Sequence, residues 1–194
     1  MDFQKVKECI FDRMERELPK DLYYHKIGHS KDVLQAVERI ADAENVREDE
    51  KILLQTSAIL HDTGFLVQYH QNEPCGCDIA IKILPECGYK KEDMQTICKM
   101  IMATAIPQNP KSKLDEILCD ADLDYLGRDD FYEISEELRK ELKVHGKKFT
   151  GKEWLEFEID FLEKHQYFTE TSCKTREPLK QKHINELKNA LKSI

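Results

Sequence analysis

Apolar residues recur along this chain at the three- and four-residue spacing that is typical of amphipathic helices, and no long β-branched alternation of the kind found in strands occurs. The segment 2–18 keeps this spacing up to Pro19, which is expected to end a helix. The sequence therefore predicts an all-α fold, a single-domain helical bundle over residues 1–194. Further helices are predicted to start near Ser30, Arg47 and Pro74 and to cover the segments 92–105, 114–123, 130–143, 152–165 and 174–194.

One predicted helix differs from the others because it is apolar on almost every side. It covers residues 52–60, and a helix with such a surface is expected to be central and buried. His61 and Asp62 follow directly, and Gly64 comes two residues later. Imidazole and carboxylate groups are costly to bury unless they are paired or bind a cation. The pattern therefore predicts a polar site at the end of the most buried helix.

Composition and charge narrow the classes of partner. Seven glycines and six prolines in 194 residues are too few for a turn-rich β-fold, and the formal net charge is −8. An acidic chain lacks the positive field that holds DNA or RNA, so no nucleic acid is expected as a partner. No apolar run approaches the roughly 18 residues of a membrane span, so no membrane is expected either. The first residues do not resemble a signal peptide, and we therefore expect a cytoplasmic protein with its seven cysteines as reduced thiols.

Two further segments carry side chains that suit the same polar site. Upstream, His29 lies four residues after His25, at the start of a predicted helix, and projects inward if that helix begins early enough. Downstream, Asp120 and Asp122 lie in the predicted helix 114–123. Imidazole and carboxylate groups together are ligands for divalent metal ions.

The downstream segment also has a second interpretation. Asp120, Asp122 and Asp124 alternate like the start of an EF-hand calcium loop. That loop needs glycine at its sixth position and glutamate at its twelfth, where this chain has Tyr125 and Phe131. Calcium binding of that type is therefore not expected.

Taken in order, His29, the pair His61-Asp62 and Asp122 resemble the His, His-Asp, Asp motif of the HD-domain superfamily of metal-dependent phosphohydrolases. The resemblance covers roughly residues 23–128, leaving 129–194 as C-terminal helices. It implies that these four side chains bind a divalent ion, and two imidazoles with two carboxylates suit Mn, Mg, Fe, Co or Ni. Asp120 is expected to orient the ligand or a water from outside the coordination sphere, and it is also the alternative ligand to Asp122.

The resemblance also implies catalytic roles. In cyclic nucleotide phosphodiesterases of this superfamily, the first histidine of a Tyr-His-x-x-x-His pattern donates a proton and the second binds metal; here these are His25 and His29. Relatives with two metals carry a histidine just before a glutamate and a further histidine pair, where this chain has Asn72 before Glu73 and Thr104-Ala105. These departures favour one ion per chain, and Glu73 is a candidate for activating a water.

The reaction implied is hydrolysis of a phosphate ester of a nucleotide or a similar small metabolite, by a phosphodiesterase or a phosphomonoesterase. Lys31, Arg128, Arg176 and Lys180 are the candidate contacts for the anionic substrate. The alternative is a non-catalytic module, either an HD-type fold that senses a nucleotide or a helical interaction protein whose His-Asp pair is incidental. The sequence leaves a homodimer open and does not identify the substrate.

Overall fold

The computed structural model describes all 194 residues, and its regular structure consists of α-helices and short 3₁₀ turns without a strand. The predicted all-α fold is therefore confirmed. The ten helices are α1 (Phe3–Glu17), α2 (Ile27–Ala43), α3 (Glu48–Leu60), α4 (Asn72–Ile83), α5 (Lys91–Ala103), α6 (Lys113–Asp122), α7 (Phe131–Val144), α8 (Gly151–Lys164), α9 (Glu170–Thr175) and α10 (Glu177–Lys192).

Two helix boundaries differ from those predicted. Ser30 does not cap α2, because that helix already begins at Ile27 with Lys26 as its N-cap, and Ser30 is buried inside it. The early start places His29 in the first turn of α2. The last predicted helix, 174–194, is interrupted at Arg176, which separates α9 from α10, and Pro178 occupies the first turn of α10, where its missing N–H costs no helical hydrogen bond.

The main hydrophobic core is a cluster of 25 buried residues supplied by α1 to α6 and the turns between them. Helix α3 is central to it, since Leu54, Ala58, Ile59 and Leu60 are fully buried, as the apolar pattern of 52–60 predicts. This core holds the carboxyl end of α3, and with it His61 and Asp62, in a fixed position.

A second, smaller cluster joins the C-terminal helices to the rest of the chain. It contains nine buried residues, among them Tyr24, Leu123, Phe131 and Leu162. Tyr24 precedes α2 and Leu123 follows α6, so the second cluster packs against the same chain ends that carry His29 and Asp122.

The turn after α6 is fixed by ionic and backbone contacts. The carboxylate of Asp124, which is 3% exposed, accepts hydrogen bonds from Arg39 of α2 at 2.5 Å and from Arg176 at 2.7 and 3.1 Å. Gly127 lies so close to the loop between α9 and α10 that a Cβ there would be 2.2 Å from the carbonyl oxygen of Arg176. The C-terminal helices therefore hold the end of α6 in place.

None of the helices combines the length and the apolar surface that crossing a bilayer requires.

Candidate metal centre

Four polar side chains from three helices meet between the two hydrophobic clusters. His29 comes from the first turn of α2, His61 and Asp62 follow the last residue of α3, and Asp122 is the last residue of α6. His29, His61 and Asp62 are buried, and the side chain of Asp122 is 13% exposed. Helix ends, rather than helix middles, thus direct the ligand groups to one point.

The distances between the two imidazoles, and from each carboxylate to both imidazoles, are those of ligands around a single ion. The two Nε2 atoms of His29 and His61 are 3.3 Å apart. Asp62 Oδ2 lies 3.1 Å from His61 Nε2 and 3.4 Å from His29 Nε2. Asp122 Oδ1 lies 3.1 Å from His29 Nε2 and 3.4 Å from His61 Nε2. Ligands held about 2.1 Å from a metal are separated by about 3.0 to 3.4 Å. His29, His61 and Asp122, whose ligand atoms all lie within 4.8 Å of one another, therefore fit one divalent ion, and Asp62 lies beside both imidazoles.

The hydrogen bonds of His61 and Asp62 leave lone pairs directed at this point. His61 Nδ1 donates to the carbonyl oxygen of Ala58 at 2.8 Å, so loss of the second ring proton, which binding of a metal ion requires, would leave the lone pair of Nε2 facing the site. Asp62 Oδ2 is buried and has no hydrogen-bond partner. Buried acceptors without a donor are costly, and a cation between them removes that cost.

The charges of His61, Asp62 and Asp122 act on one another. Burial opposes protonation of His61, but the nearby carboxylates of Asp62 and Asp122 outweigh burial and hold the pKa of His61 well above its usual value. Burial would raise the pKa of Asp122, but hydrogen bonds from His29 and His61 reverse that effect and lower it. The site therefore attracts positive charge, as a metal centre requires.

Asp120 has a different role from Asp122. Its fully buried carboxylate accepts hydrogen bonds from the backbone N–H groups of Phe168 and Thr169 at 2.9 and 2.8 Å and from the Thr169 hydroxyl at 2.6 Å. It points to the loop before α9, whereas Asp122 points to the histidines. Asp120 thus fixes the C-terminal helices against α6.

Gly64 is required by a close backbone contact beside the His-Asp pair. A Cβ at Gly64 would lie 1.8 Å from the carbonyl oxygen of Asn72. The close approach also brings the side-chain amide of Asn72 to 3.4 Å from Asp62 Oδ1. The glycine therefore allows α4 to pack against the candidate ligand Asp62.

His25 lies next to this centre, and its ring is oriented by a residue that the sequence pattern did not identify. The ring centres of His25 and His29 are 6.1 Å apart. His25 Nδ1 donates to Glu141 Oε1 at 2.5 Å, and Phe65 stacks on the imidazole with ring centres 4.1 Å apart. Burial opposes protonation of His25, but the hydrogen bond to Glu141 outweighs it, and the pKa of His25 is raised.

Glu141 is fully buried and reaches the site from α7. Its carboxylate also accepts hydrogen bonds from the backbone N–H groups of Tyr24 and His25 at 2.8 and 3.0 Å and from the hydroxyl of Tyr69 at 3.2 Å. A signal for it does exist in the sequence: helical spacing places Glu141 on the same face as the apolar residues Ile134 and Leu138. A carboxylate on an apolar face is expected to have a specific partner.

Each of the four cationic side chains that are candidates for binding the substrate already contacts another residue of the protein. Lys31 Nζ lies 5.4 Å from the ring centre of Phe11. The guanidinium of Arg128 binds Asp32 and Asp130, and that of Arg176 binds Asp124. Lys180 Nζ donates to Glu177 and to the carbonyl oxygen of His165. Glu73 lies in the first turn of α4 and is partly exposed.

Comparison with known proteins identifies one family. The family model described as HD domain matches residues 27–124, a range that contains His29, His61, Asp62 and Asp122. No curated protein and no solved structure matches the chain.

Proposed function

The chain belongs to the HD domain family, and from this membership we propose that it is a metal-dependent phosphohydrolase that cleaves a phosphate ester of a nucleotide or a similar small metabolite. The observation that supports the proposal best is that two imidazoles lie 3.3 Å apart and that each of two carboxylates lies 3.1 to 3.4 Å from both of them. His29, His61, Asp62 and Asp122 would hold one ion, with Mn, Mg, Fe, Co and Ni as candidates. Such an ion would polarise a phosphoryl oxygen and lower the pKa of the attacking water.

His25 is the proposed proton donor. In hydrolysis the attacking water gives up a proton to the solvent as its oxygen bonds to phosphorus, the ester P–O bond breaks, and the departing oxygen takes a proton from His25, which regains one from the solvent. With Nδ1 of His25 bonded to Glu141, the proton available to the substrate is the one on Nε2. The side chain of His25 is 21% exposed, so a bound ester can reach it. The raised pKa of His25 favours the protonated form that an acid catalyst needs.

Glu141 is proposed as a positioning residue for His25, and Glu73 stays a candidate for activating a water. Lys31, Arg128, Arg176 and Lys180 already contact other side chains or carbonyl oxygens of the protein. To bind the substrate anion, each would have to break that contact or hold both partners at once. The ion and His25 are therefore the proposed source of positive charge at the reacting phosphate.

The test compares the wild type with His61→Ala and Asp62→Asn, all purified without chelator. Elemental mass spectrometry is expected to find about one divalent ion per wild-type chain and much less in either variant. Hydrolysis of a panel of nucleotide monoesters and diesters with added Mn is expected only for the wild type, while circular dichroism shows that all three remain helical.

The alternative function, a non-catalytic module that senses a nucleotide, predicts binding without hydrolysis. The wild type would then retain metal or bind a nucleotide, but none of the esters would be hydrolysed. Equal hydrolysis by the wild type and both variants would show that the metal-site assignment is wrong.

A further inference from the structure

Two of the seven cysteines, Cys77 of α4 and Cys98 of α5, contact each other where these helices pack together. The thiol of Cys77 donates to the carbonyl oxygen of Cys98 at 3.6 Å, and the thiol of Cys98 lies 3.9 Å from the carbonyl oxygen of Cys77. Both side chains are partly buried against the main core, and all seven cysteines are free thiols. Each sulfur thus reaches across to the backbone of the other residue.

The two thiols also interact with each other directly. Burial raises the pKa of both, and the neighbouring thiol of Cys98 raises the pKa of Cys77 further, whereas a hydrogen bond from Cys77 partly offsets the rise at Cys98. A donor stabilises the thiolate that accepts from it. Cys98 is therefore the thiol of the pair that loses its proton first, and Cys77 is its donor.

Cys98 also lies at a surface that a small molecule can approach. It is partly exposed and lines an open cleft of about 810 Å³, together with Lys99 and Lys111, whereas Cys77 does not line it. The acidic residue of this wall, Asp115, accepts hydrogen bonds from the backbone N–H groups of Lys111 and Ser112 at 3.0 Å. The lysine ammonium groups favour a molecule that carries carboxylates.

We propose that Cys98 and Cys77 form a reversible disulfide by exchange with a small anionic disulfide of the glutathione type. First, the thiolate of Cys98 attacks one sulfur of the small disulfide, whose S–S bond breaks, and the departing thiolate takes a proton from the solvent. Next, Cys77 loses its proton to the solvent, attacks the sulfur of Cys98 and displaces the second small thiol. The protein loses two hydrogens, and the small disulfide is reduced to two thiols.

The disulfide would join α4 to α5 beside the carboxyl end of α3. Gly76, which precedes Cys77, packs so closely there that a Cβ would lie 3.2 and 3.3 Å from the carbonyl oxygens of Leu60 and His61. The two cysteines are 21 positions apart, and closing a loop of this length restricts the unfolded chain. The bond is therefore expected to stabilise the fold, and it needs neither the metal nor the proposed reaction.

The test exposes the full-length wild type to buffers of oxidised and reduced glutathione, followed by acid quenching, alkylation and peptide mass spectrometry. A linked pair of peptides that contains Cys77 and Cys98 is expected in the wild type and not in Cys77→Ser or Cys98→Ser. Cys75→Ser is the matched control, because Cys75 lies on the same helix and is also partly exposed, and it should keep the link. Circular dichroism checks that the variants remain helical.

The exposed Cys9 and Cys173 show within the same sample that exchange has taken place. The proposal is overturned if these two carry glutathione while the wild type forms no link, or if the link persists in Cys77→Ser.

The order of the two steps is tested with the single variants. Cys77→Ser keeps the attacking thiol but cannot complete the exchange, so glutathione should accumulate on Cys98 at least about fivefold faster than on Cys77 in Cys98→Ser. Because the pKa of Cys98 is raised, this rate should rise about tenfold between pH 7 and pH 8. Faster accumulation on Cys77 would show that the roles of the two thiols are reversed.

Thermal unfolding tests the consequence for the fold. The oxidised wild type is expected to have a Tm about 5–10 °C above that of the reduced protein, and dithiothreitol should reverse the difference. Cys77→Ser under the same buffers should show no such rise. Equal shifts in the wild type and Cys77→Ser would show that the link between α4 and α5 is not the cause.

Discussion

Glu141 Oε1 accepts a hydrogen bond from His25 Nδ1 across a sequence separation of 116 residues. Glu141 lies in α7, beyond the segment 27–124 that matches the HD domain family. The helices that follow the family motif therefore contribute directly to the orientation of the proposed proton donor.

Glu141→Gln is expected to lower kcat by about 10- to 100-fold, as is usual when a group that orients a reacting side chain is lost. Glu141 raises the pKa of His25, so its loss should also move the alkaline limb of the pH–rate profile to lower pH. The measurements are kcat, KM and the pH profile with Mn added. Glu137→Gln is the matched control, because Glu137 lies on the same helix and binds the exposed Lys26. An unchanged pH profile in Glu141→Gln would contradict the positioning role.

Asp120→Asn and Asp122→Asn are expected to have opposite effects although the residues are two positions apart. Asp120→Asn replaces one of the two accepting oxygens with an NH2 group, which cannot accept and faces an N–H donor, and should lower the free energy of unfolding by about 2–3 kcal/mol with metal content retained. Asp122→Asn should lose the metal with less effect on the stability of the metal-free protein. Urea unfolding with EDTA and elemental analysis test the pair. Loss of metal in the Asp120 variant alone would show that the ligand assignment is reversed.

Gly64→Ala is expected to destabilise the fold by about 3 kcal/mol or more, because its Cβ would lie 1.8 Å from the carbonyl oxygen of Asn72. Gly151→Ala is the control, since a Cβ there meets nothing within 4 Å, and it should leave stability unchanged or raise it by up to about 1 kcal/mol. Urea unfolding curves compare the two variants with the wild type. Similar stabilities for the two variants would refute the close contact.

The stability of the protein is expected to depend on pH through Glu158. Burial raises the pKa of Glu158 to about 7, although a hydrogen bond from Ser135 partly opposes the rise. The folded chain therefore holds this proton more tightly than the unfolded chain, and the associated stability is complete at acidic pH and is lost as pH rises through about 7. Glu158→Gln, which resembles the protonated form, should be more stable than the wild type at pH 8.5 by about 2–3 kcal/mol.

The measurement is urea unfolding of the wild type and Glu158→Gln at pH 5 and pH 8.5. The difference between them should be much smaller at pH 5. Glu156→Gln on the same helix is the control, because Glu156 is exposed. A difference of equal size at both pH values would contradict the buried, protonated carboxyl group.

The local parts of the fold and site could be predicted from the sequence. The apolar segment 52–60 predicts a buried helix, and the helix α3 is buried, because its packing depends on its own side chains. The order of His29, His61-Asp62 and Asp122 identifies the family, because metal ligands must be particular residue types, whereas a core position needs only an apolar side chain.

The parts that depend on distant contacts could not be predicted. The start of α2 at Ile27 is one example, since its N-cap Lys26 forms no side-chain hydrogen bond and the preceding backbone is held by the carboxylate of Glu141. The partners of Arg128 and Arg176 are another, because a sequence gives a charge but not the carboxylate that binds it.

The contact between Gly127 and the carbonyl oxygen of Arg176 has a consequence for biosynthesis. The last proposed ligand, Asp122, leaves the ribosome well before Arg176, whose guanidinium and backbone secure the turn after it. A nascent chain arrested near residue 128 would thus carry every proposed ligand but neither this contact nor Glu141. Capture of the metal is therefore expected to be a late event, completed only after the final helices have emerged and docked.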